Sequence, residues 1–370
     1  MKKLSGFNKM MFFLNIVLTV LTFIAYILPF LAPKLFPFLS VFTLVMPLLL
    51  VLNFLFFLYW LLQTKRQMLL SGLVLLMGIT FISKFYKFSS KDLPEDKDDF
   101  TLMSYNVRMF NLYDWLPERD ISQKIMGFVK EQNPDIVCLQ EYTKRGSARF
   151  PGYRNKFIFG RDGKTGQAIY SKFPIIDSGY IEFPDTGNNV VFADIRKGKD
   201  TLRVYSMHLQ SIKISPDIHE RIDEEKSKVI FRRLSEAFKK QQLQAELIEK
   251  HKSECAYPMI ICGDLNNSAF SYVYRSVKGK MKDAFEEAGS GFGKSYNYKN
   301  IIGDMNDAFV ESGKGFGKTY NYKYYPARID YVFTDKTIDV KQYKTFGDFA
   351  NSDHFPVMTR LCFEKEESDK

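Results

Sequence analysis

Three apolar runs open the chain. Phe12–Leu31 holds twenty residues without a charge, Leu35–Leu62 is a second charge-free run, and Gln67–Ser83 is a shorter third. A hydrocarbon core of about 30 Å is crossed by about 20 helical residues, with a usable range of about 17–25. The pattern therefore predicts a transmembrane region over 1–84, with helices at 12–31, 35–62 and 67–83. Pro29, Pro33, Pro37 and Pro47 mark their ends or kinks. A cleaved secretion signal does not fit the first run: its apolar stretch is too long, a second span follows at once, and no small-residue cleavage pattern is present. A polar, charged stretch at 85–99, with Pro94 inside it, reads as a linker.

From residue 100 the pattern changes to short runs of β-type residues bounded by turns. Strands are predicted at Thr101–Arg108, Asp135–Gln140, Tyr153–Phe159, Gln167–Ser171, Val190–Arg196, Thr201–His208, Pro258–Cys262, Arg328–Thr334 and Phe355–Phe363. Two segments have helical spacing instead. One covers Glu118–Gln132. The other covers His219–Lys252, with apolar residues at Ile222, Val229, Ile230, Leu234, Phe238, Leu247 and Ile248. Many strands, few helices and no regular alternation predict an α/β domain over 100–365, built as two packed sheets with helices outside rather than as a doubly wound sheet.

Charge sharpens this division. The chain carries 52 basic and 42 acidic residues, yet nine of the basic ones and no acidic one lie in the first 91 positions. The remainder is close to neutral, which does not describe a domain built for bulk nucleic-acid binding. Lys2, Lys3, Lys9, Lys65 and Arg66 flank one side of three spans and Lys34, Lys84, Lys87 and Lys91 the other. The positive-inside rule, weighted to the first helix, then puts the N-terminus in the cytoplasm and the following domain outside it. The expectation is a multi-pass integral membrane protein with an extracytoplasmic domain. Four cysteines form no CxxC pair, so zinc-ribbon and thioredoxin readings fail; Cys138 and Cys262 sit in apolar runs and read as core.

A repeat interrupts the domain. Asp283–Lys299 recurs as Asp307–Lys323, with thirteen of seventeen positions identical. Two copies cannot stack into a solenoid, so this reads as a local duplication. The second copy leads directly into the strand at Arg328 and is the expected occupant of the native position. Within the first copy Ala288–Ser295 nearly spells a nucleotide-binding P-loop. Such a loop needs a buried strand before it, and the preceding Lys-Met-Lys-Asp-Ala-Phe-Glu-Glu is none.

Polar residues cluster where apolar strands end. Ser104-Tyr-Asn106-Val-Arg108, Leu139-Gln-Glu141, His208-Leu, Gly263-Asp264-Leu-Asn266 and Ser352-Asp353-His354-Phe-Pro-Val all do so, and Arg328-Ile-Asp330-Tyr sets a carboxylate within a strand. Singly, each has an ordinary reading: Asp264 and Asn266 as turn caps, Glu141 as a helix-start acid, His208 as a satisfied core histidine, Arg108 as a surface ion pair. Together they supply four carboxylates, two imidazoles and two amides. That set suits an oxygen-ligated divalent cation beside a phosphate-stabilising imidazole.

In order and type these motifs resemble the endonuclease/exonuclease/phosphatase superfamily, the DNase I-like fold, across the whole domain from about Leu102 to Phe363. The resemblance implies a four-layered α/β/β/α sandwich and Mg²⁺- or Mn²⁺-dependent phosphoester hydrolysis. It implies Glu141, with Asn106 and Asp353, as the metal side. Asp264 then orients or deprotonates the attacking water, steadied by Asn266; His354 contacts the scissile phosphate and Asp330 holds its other nitrogen. His208 resembles a second histidine found in nuclease-like and lipid-phosphoesterase branches. Which group is the general base stays open, and Arg108 is a candidate phosphate contact. The expected function is a membrane-anchored metal-dependent phosphoesterase, with the bilayer as partner through the N-terminal helices and a phosphoester as substrate, lipid-linked or nucleic acid, the latter not favoured. The rival is a catalytically silent, membrane-anchored binding module on the same fold. A channel is disfavoured because the spans hold no acid and no histidine.

Overall fold

The computed structural model describes residues 4–144, 150–161, 165–212, 224–292, 295, 328–349 and 351–364. Ser5 caps the first helix α1 (Gly6–Ile27), which runs on through a 3-10 turn to Phe30. A short helix α2 (Pro37–Val41) leads by another such turn into α3 (Met46–Leu62), and α4 (Met68–Met77) and α5 (Ile79–Phe85) complete the region. Gly6–Phe30 and Pro37–Leu62, 25 and 26 residues long, are long and apolar enough to cross a membrane. The expected third helix is broken: α4 and α5 meet at Gly78 with a bend of 68°. A Cβ on Gly78 would stand 2.1 Å from the Tyr26 hydroxyl, which donates to the Val74 carbonyl at 2.9 Å. The bend thus sits where α1 presses an aromatic side chain against the α4 backbone. The helices join through buried polar pairs. Asn15 donates to Ser71 Oγ (2.8 Å) and accepts from Trp60 Nε1 (3.0 Å), and Asn53 donates to Thr22 Oγ1 (2.8 Å). Interhelical hydrogen bonds of this kind hold helices together where there is no water to compete.

The strands are β1 (Tyr86–Lys87), β2 (Phe100–Asn106), β3 (Ile136–Tyr142), β4 (Asn155–Arg161), β5 (Thr165–Ser171), β6 (Ile175–Glu182), β7 (Asn189–Lys197), β8 (Asp200–His208), β9 (Met259–Asp264), β10 (Lys282–Asp283), β11 (Gly291–Phe292), β12 (Asp330–Thr334), β13 (Ile338–Thr345) and β14 (Val357–Phe363). Helices α6 (Ile121–Gln132), α7 (Glu224–Ser253), α8 (Tyr272–Lys278) and α9 (Ala284–Ala288) lie between them. Two six-stranded sheets result, ordered β13-β14-β2-β3-β5-β4 and β10-β12-β9-β8-β7-β6. Their inner faces share one core, in which Leu102, Ile136 and Cys138 meet Val204, Ile260 and Cys262. The outer face of the first sheet packs on α6 through Ile125 and Val129, and that of the second on α7 and α8 through Ala245, Ile248 and Val273. This is the four-layered α/β/β/α sandwich.

Every predicted strand is present. Strands β6 and β13 were not legible, and both are sheet edges. Asp177, Ser178 and Gly179 interrupt β6, and a bulge between Val340 and Gln342 breaks the alternation of β13. Helix α7 buries glutamines as well as aliphatics: Gln241, Gln242 and Gln244 are buried, whereas the expected core position Leu247 is 37 % exposed. The duplication is described in part of its first copy only. The first copy is seated: Lys282 and Asp283 pair with β12, Ala284, Phe285 and Ala288 enter the core, and Asp283 receives both hydrogen bonds of Arg328 Nη1 (2.9 and 2.8 Å). The second copy lies outside the described residues. The P-loop-like stretch follows helix α9 rather than a strand.

A buried polar chain ties the sheets together beneath the ends of β3 and β8. Gln140 of β3 donates to Ser206 Oγ of β8 (2.8 Å), Ser206 donates to Gln167 Oε1 of β5 (2.9 Å), and Gln167 donates to Asn189 Oδ1 of β7 (2.7 Å). The chain crosses between the sheets three times.

Candidate active site

Parallel strands β2 and β3 end side by side, with Asn106 opposite Gln140, and so deliver Asn106 and Glu141 to one rim. Glu141 adopts a left-handed backbone (φ 49°), uncommon for a residue with a Cβ, at the irregularity where β3 leaves its ladder with β5. Asn106 Nδ2 stands 3.3 Å from Glu141 Oε1 and 3.2 Å from Asp264 Oδ2, so one amide bridges carboxylates of both sheets. Behind it Ser352 donates to the Asn106 carbonyl at 2.8 Å and sets Asp353 beside Arg108, whose Nη1 is 3.4 Å from Asp353 Oδ2. Arg108, Met109, Phe110 and Asn111 all have positive φ (42–62°). Such runs are rare in L-residues and concentrate at functional sites. Asn111 fixes this one by bonding Leu116 and Glu118.

The second sheet brings β8, β9 and β12 to the same rim. His208 lies opposite Asp264, and Asp264 opposite Asp330. Gly263 is required for this approach: its φ is 126°, and a Cβ there would meet the Met207 carbonyl at 2.1 Å. Asn266 closes a turn onto Asp264, donating from its backbone N–H (2.7 Å) and its amide (3.1 Å). His354 Nδ1 contacts Asp330 Oδ2 at 2.8 Å, which leaves Nε2 3.6 Å from Asp264 Oδ2. His208 Nε2 lies 3.6 Å from Glu141 Oε1 and 3.7 Å from Asp264 Oδ2. All eight site residues named from the sequence therefore lie in one cluster of contacts, with Arg108 beside it.

Electrostatics separate their roles. Burial works against a charged His354, but Asp330 and Asp264 outweigh it and push its pKa up to about 10. Burial raises Asp264 to about 8 despite His354, with Asp330 and Glu141 adding to the rise. This buried pair is coupled, and both groups are held above their ordinary values. Burial, helped by the charge of His354, lowers His208 to about 3, so its imidazole is neutral. Burial and the neighbouring Asp353 raise Glu141.

That last shift bears on metal binding. A carboxylate of raised pKa, beside a second carboxylate and an amide, with only oxygen and nitrogen donors, is the chemistry of a site for a hard divalent cation. Glu141 and Asp353 would hold it, with Asn106 able to join through Oδ1, which here accepts from the Arg108 backbone N–H at 3.1 Å. Ligand-type atoms of Asp264, Asp330 and His354 cluster more tightly, within 4.8 Å. Those groups are already satisfied by one another and by Asn266, and an imidazole held protonated cannot ligate.

Two contributors were not legible in the sequence. Trp115 stacks under Arg108, ring centroid to guanidinium 4.4 Å, and with Leu116 and Asn351 lines a small pocket beside Asp353. Ser295 is fully buried and accepts from the backbone N–H groups of Ile329 and Asp330, both at 2.9 Å, which pins the Asp330 strand. Ser295 ends the P-loop-like stretch, in which residues 293 and 294 lie outside the described residues.

Comparison with known proteins agrees with this architecture. Residues 8–85 match a domain of unknown function (DUF8431). No match was found among curated proteins. Among solved structures, Danio rerio TDP2 in complex with a single-strand DNA product is 17 % identical, covers 72 % of this chain and 99 % of its own, and superposes with a TM-score of 0.51. An endonuclease/exonuclease/phosphatase from Bacteroides vulgatus is 21 % identical (72 % and 100 %, TM-score 0.50). The human Nocturnin catalytic domain with bound sulfate is 14 % identical (74 % and 97 %, TM-score 0.50). At these identities the likeness is one of fold. Residues 103–354, more than half of the sequence, match the endonuclease/exonuclease/phosphatase family, and the chain belongs to that family.

Proposed function

We propose that the protein is a membrane-anchored, divalent-metal-dependent phosphoesterase. The observation that carries this reading is the continuous set of contacts Glu141–Asn106–Asp264–His354–Asp330 across the ends of both sheets. A cation held by Glu141, Asp353 and Asn106 would withdraw charge from a phosphoester oxygen. Asp330 fixes the His354 tautomer and keeps Nε2 protonated, so His354 donates to the phosphate as negative charge grows. Asp264, held by Asn266, orients the attacking water and, in its ionised form, accepts its proton. The water oxygen forms the new P–O bond, the bond to the leaving oxygen breaks, and the proton passes on to the leaving group or solvent. Neutral His208 lies 3.6 and 3.7 Å from the two carboxylates, beyond hydrogen-bond distance, as an uncharged neighbour. Arg108, backed by Trp115, contacts a substrate oxygen.

The reading includes a catalytic domain outside the cytoplasm. Two observations support it. Asn8 contacts Tyr59 and Gln63 at one end of the bundle, while Pro29, Lys34 and Lys84 contact the sandwich at the other. The N-terminus and the sandwich thus occupy opposite ends, as an odd number of traversals requires. Among the described residues Lys9, Lys65 and Arg66 lie at the end away from the sandwich, and Lys2 and Lys3 precede them in the sequence.

The test is hydrolysis of bis-p-nitrophenyl phosphate by the full chain in nanodiscs. Activity is expected with Mg²⁺ or Mn²⁺, lost in EDTA and restored by added metal. Undiminished turnover in EDTA would refute metal dependence. Alkaline phosphatase fused after Lys370 should be active; a cytoplasm-only fluorescent protein that glows there overturns the orientation.

A further inference from the structure

The three strand ends of the second sheet that carry the site are the parts of the sandwich that rest on the helical bundle. After His208 the chain reaches Ile212, which packs with Val41 and Phe238. After Asp264 and Asn266 it reaches Phe270, buried among Ala25, Leu28, Met46 and Leu50. Two residues before Asp330, Arg328 Nη2 contacts the Lys84 carbonyl at 3.4 Å. Helix α7 makes a fourth tie. Lys34 N–H donates to Gln242 at 2.8 Å, and the adjacent Gln241 bonds the Asn266 carbonyl at 3.1 Å. Phe38 stacks on Phe231 at 5.8 Å.

The linker confirms which end of the sandwich this is. It leaves Lys84 beside Arg328, pairs through β1 with β11, and contacts Lys341 from Leu93. It reaches the opposite end at Asp98, whose carbonyl accepts from Lys197 beside the β7–β8 turn. Strand β2 then returns the whole length to Asn106 in the site. The linker therefore descends the domain and β2 climbs back, so the rim bearing the site is the rim facing the bundle.

Distances on this rim are short. Four extended residues reach at most about 14 Å, which bounds the path from His208 to Ile212 and from Asn266 to Phe270. The stretch Pro37–Leu62 has 26 residues, about 39 Å as helix against a hydrocarbon core of about 30 Å. The end of this stretch packs on α7, through Phe38 and Val41. Apolar side chains cover this seam: Phe30 is 58 % exposed, Leu35 72 % and Phe38 60 %.

We infer that the cleft opens at the bilayer surface and takes the phosphoester headgroup of an amphiphile lying in the same leaflet. The apolar seam accommodates the chains while the headgroup enters the cleft. This rests on the phosphoesterase reading, and the experiment separates the two. The full chain in phosphatidylcholine vesicles with Mg²⁺ is given two probes with one reacting group, p-nitrophenyl hexadecyl phosphate and p-nitrophenyl ethyl phosphate. The inference expects kcat/KM at least tenfold higher for the membrane-resident ester. Equal or lower kcat/KM for that ester overturns the inference and leaves the phosphoesterase reading intact; no hydrolysis of either overturns both. A second measurement needs no turnover. Trp115 and Trp60 are the two tryptophans, and the emission lost in Trp115→Phe reports the cleft. Lipid carrying a nitroxide on its headgroup should quench that component. An unquenched Trp115 component places the cleft away from the bilayer and overturns the inference.

Discussion

The two sheets bring carboxylates to the cleft in different states. From the first come Glu141 and Asp353, close to each other, with Glu141 held above its ordinary pKa by burial and by its neighbour. From the second come Asp264 and Asp330, each already engaged, one by Asn266 and one by His354. On the proposed reading the first half, where Asp353 already faces Arg108 at 3.4 Å, would take the cation, and the second would handle protons. That division would allow each half to be disturbed alone.

The most severe disturbance is expected in the second half. Asp264→Ala and His354→Ala should each lower kcat by about 10²–10⁴-fold, the usual cost of a lost acid–base or charge-stabilising group, with the melting transition preserved in cooperativity. A loss under tenfold for both would mean that this network does not touch the reacting atoms. In the first half, Glu141→Gln should weaken Mg²⁺ binding by about 10–100-fold, on the scale of lost metal-site interactions, as read by calorimetry. Activity in that variant should recover in part at high Mg²⁺, which no Asp264 variant should do. Mg²⁺ affinity unchanged by Glu141→Gln would place the cation elsewhere.

A smaller effect follows from protonation. In the metal-free protein the folded state keeps protons on Asp264 up to about pH 8 and on His354 up to about pH 10. The unfolded chain releases them near pH 4 and 6.5. Between those limits the folded state binds more protons, so stability falls as pH rises. The melting temperature without metal should therefore drop from pH 5 to pH 9, and Mg²⁺ should raise it most at the alkaline end. A metal-free melting temperature that climbs over this range contradicts the assignment. The smallest effect belongs to Arg108→Ala: a rise in KM of about tenfold, one charge-assisted hydrogen bond's worth, with kcat little changed. A fall in kcat instead would make Arg108 part of the chemistry.

Much of this was legible in the sequence because buried strands ending in polar residues are local signals. Ile-Ile-Cys-Gly-Asp and Ile-Val-Cys-Leu-Gln-Glu each announce a core strand and its rim. What escaped carries no clear local pattern. Edge strands β6 and β13 face a neighbour on one side only and tolerate polar residues. Trp115 owes its place to the left-handed turn after Asn106. Gln241, Gln242 and Gln244 are buried because they bond the backbone of the site and of the first interhelical loop.

The chain of Gln140, Ser206, Gln167 and Asn189 under the rim has a consequence for how this cleft could diversify. Three successive hydrogen bonds between opposed sheets fix their separation where Glu141 and His208 emerge. Sliding or scissoring the sheets would strand buried amides without partners, each at a cost of about 1–3 kcal/mol. The floor is in effect of fixed gauge. A descendant adapted to a bulkier headgroup would keep that floor and rebuild the loops above it, so substitutions that shift specificity should map to the rim and leave these four positions unchanged.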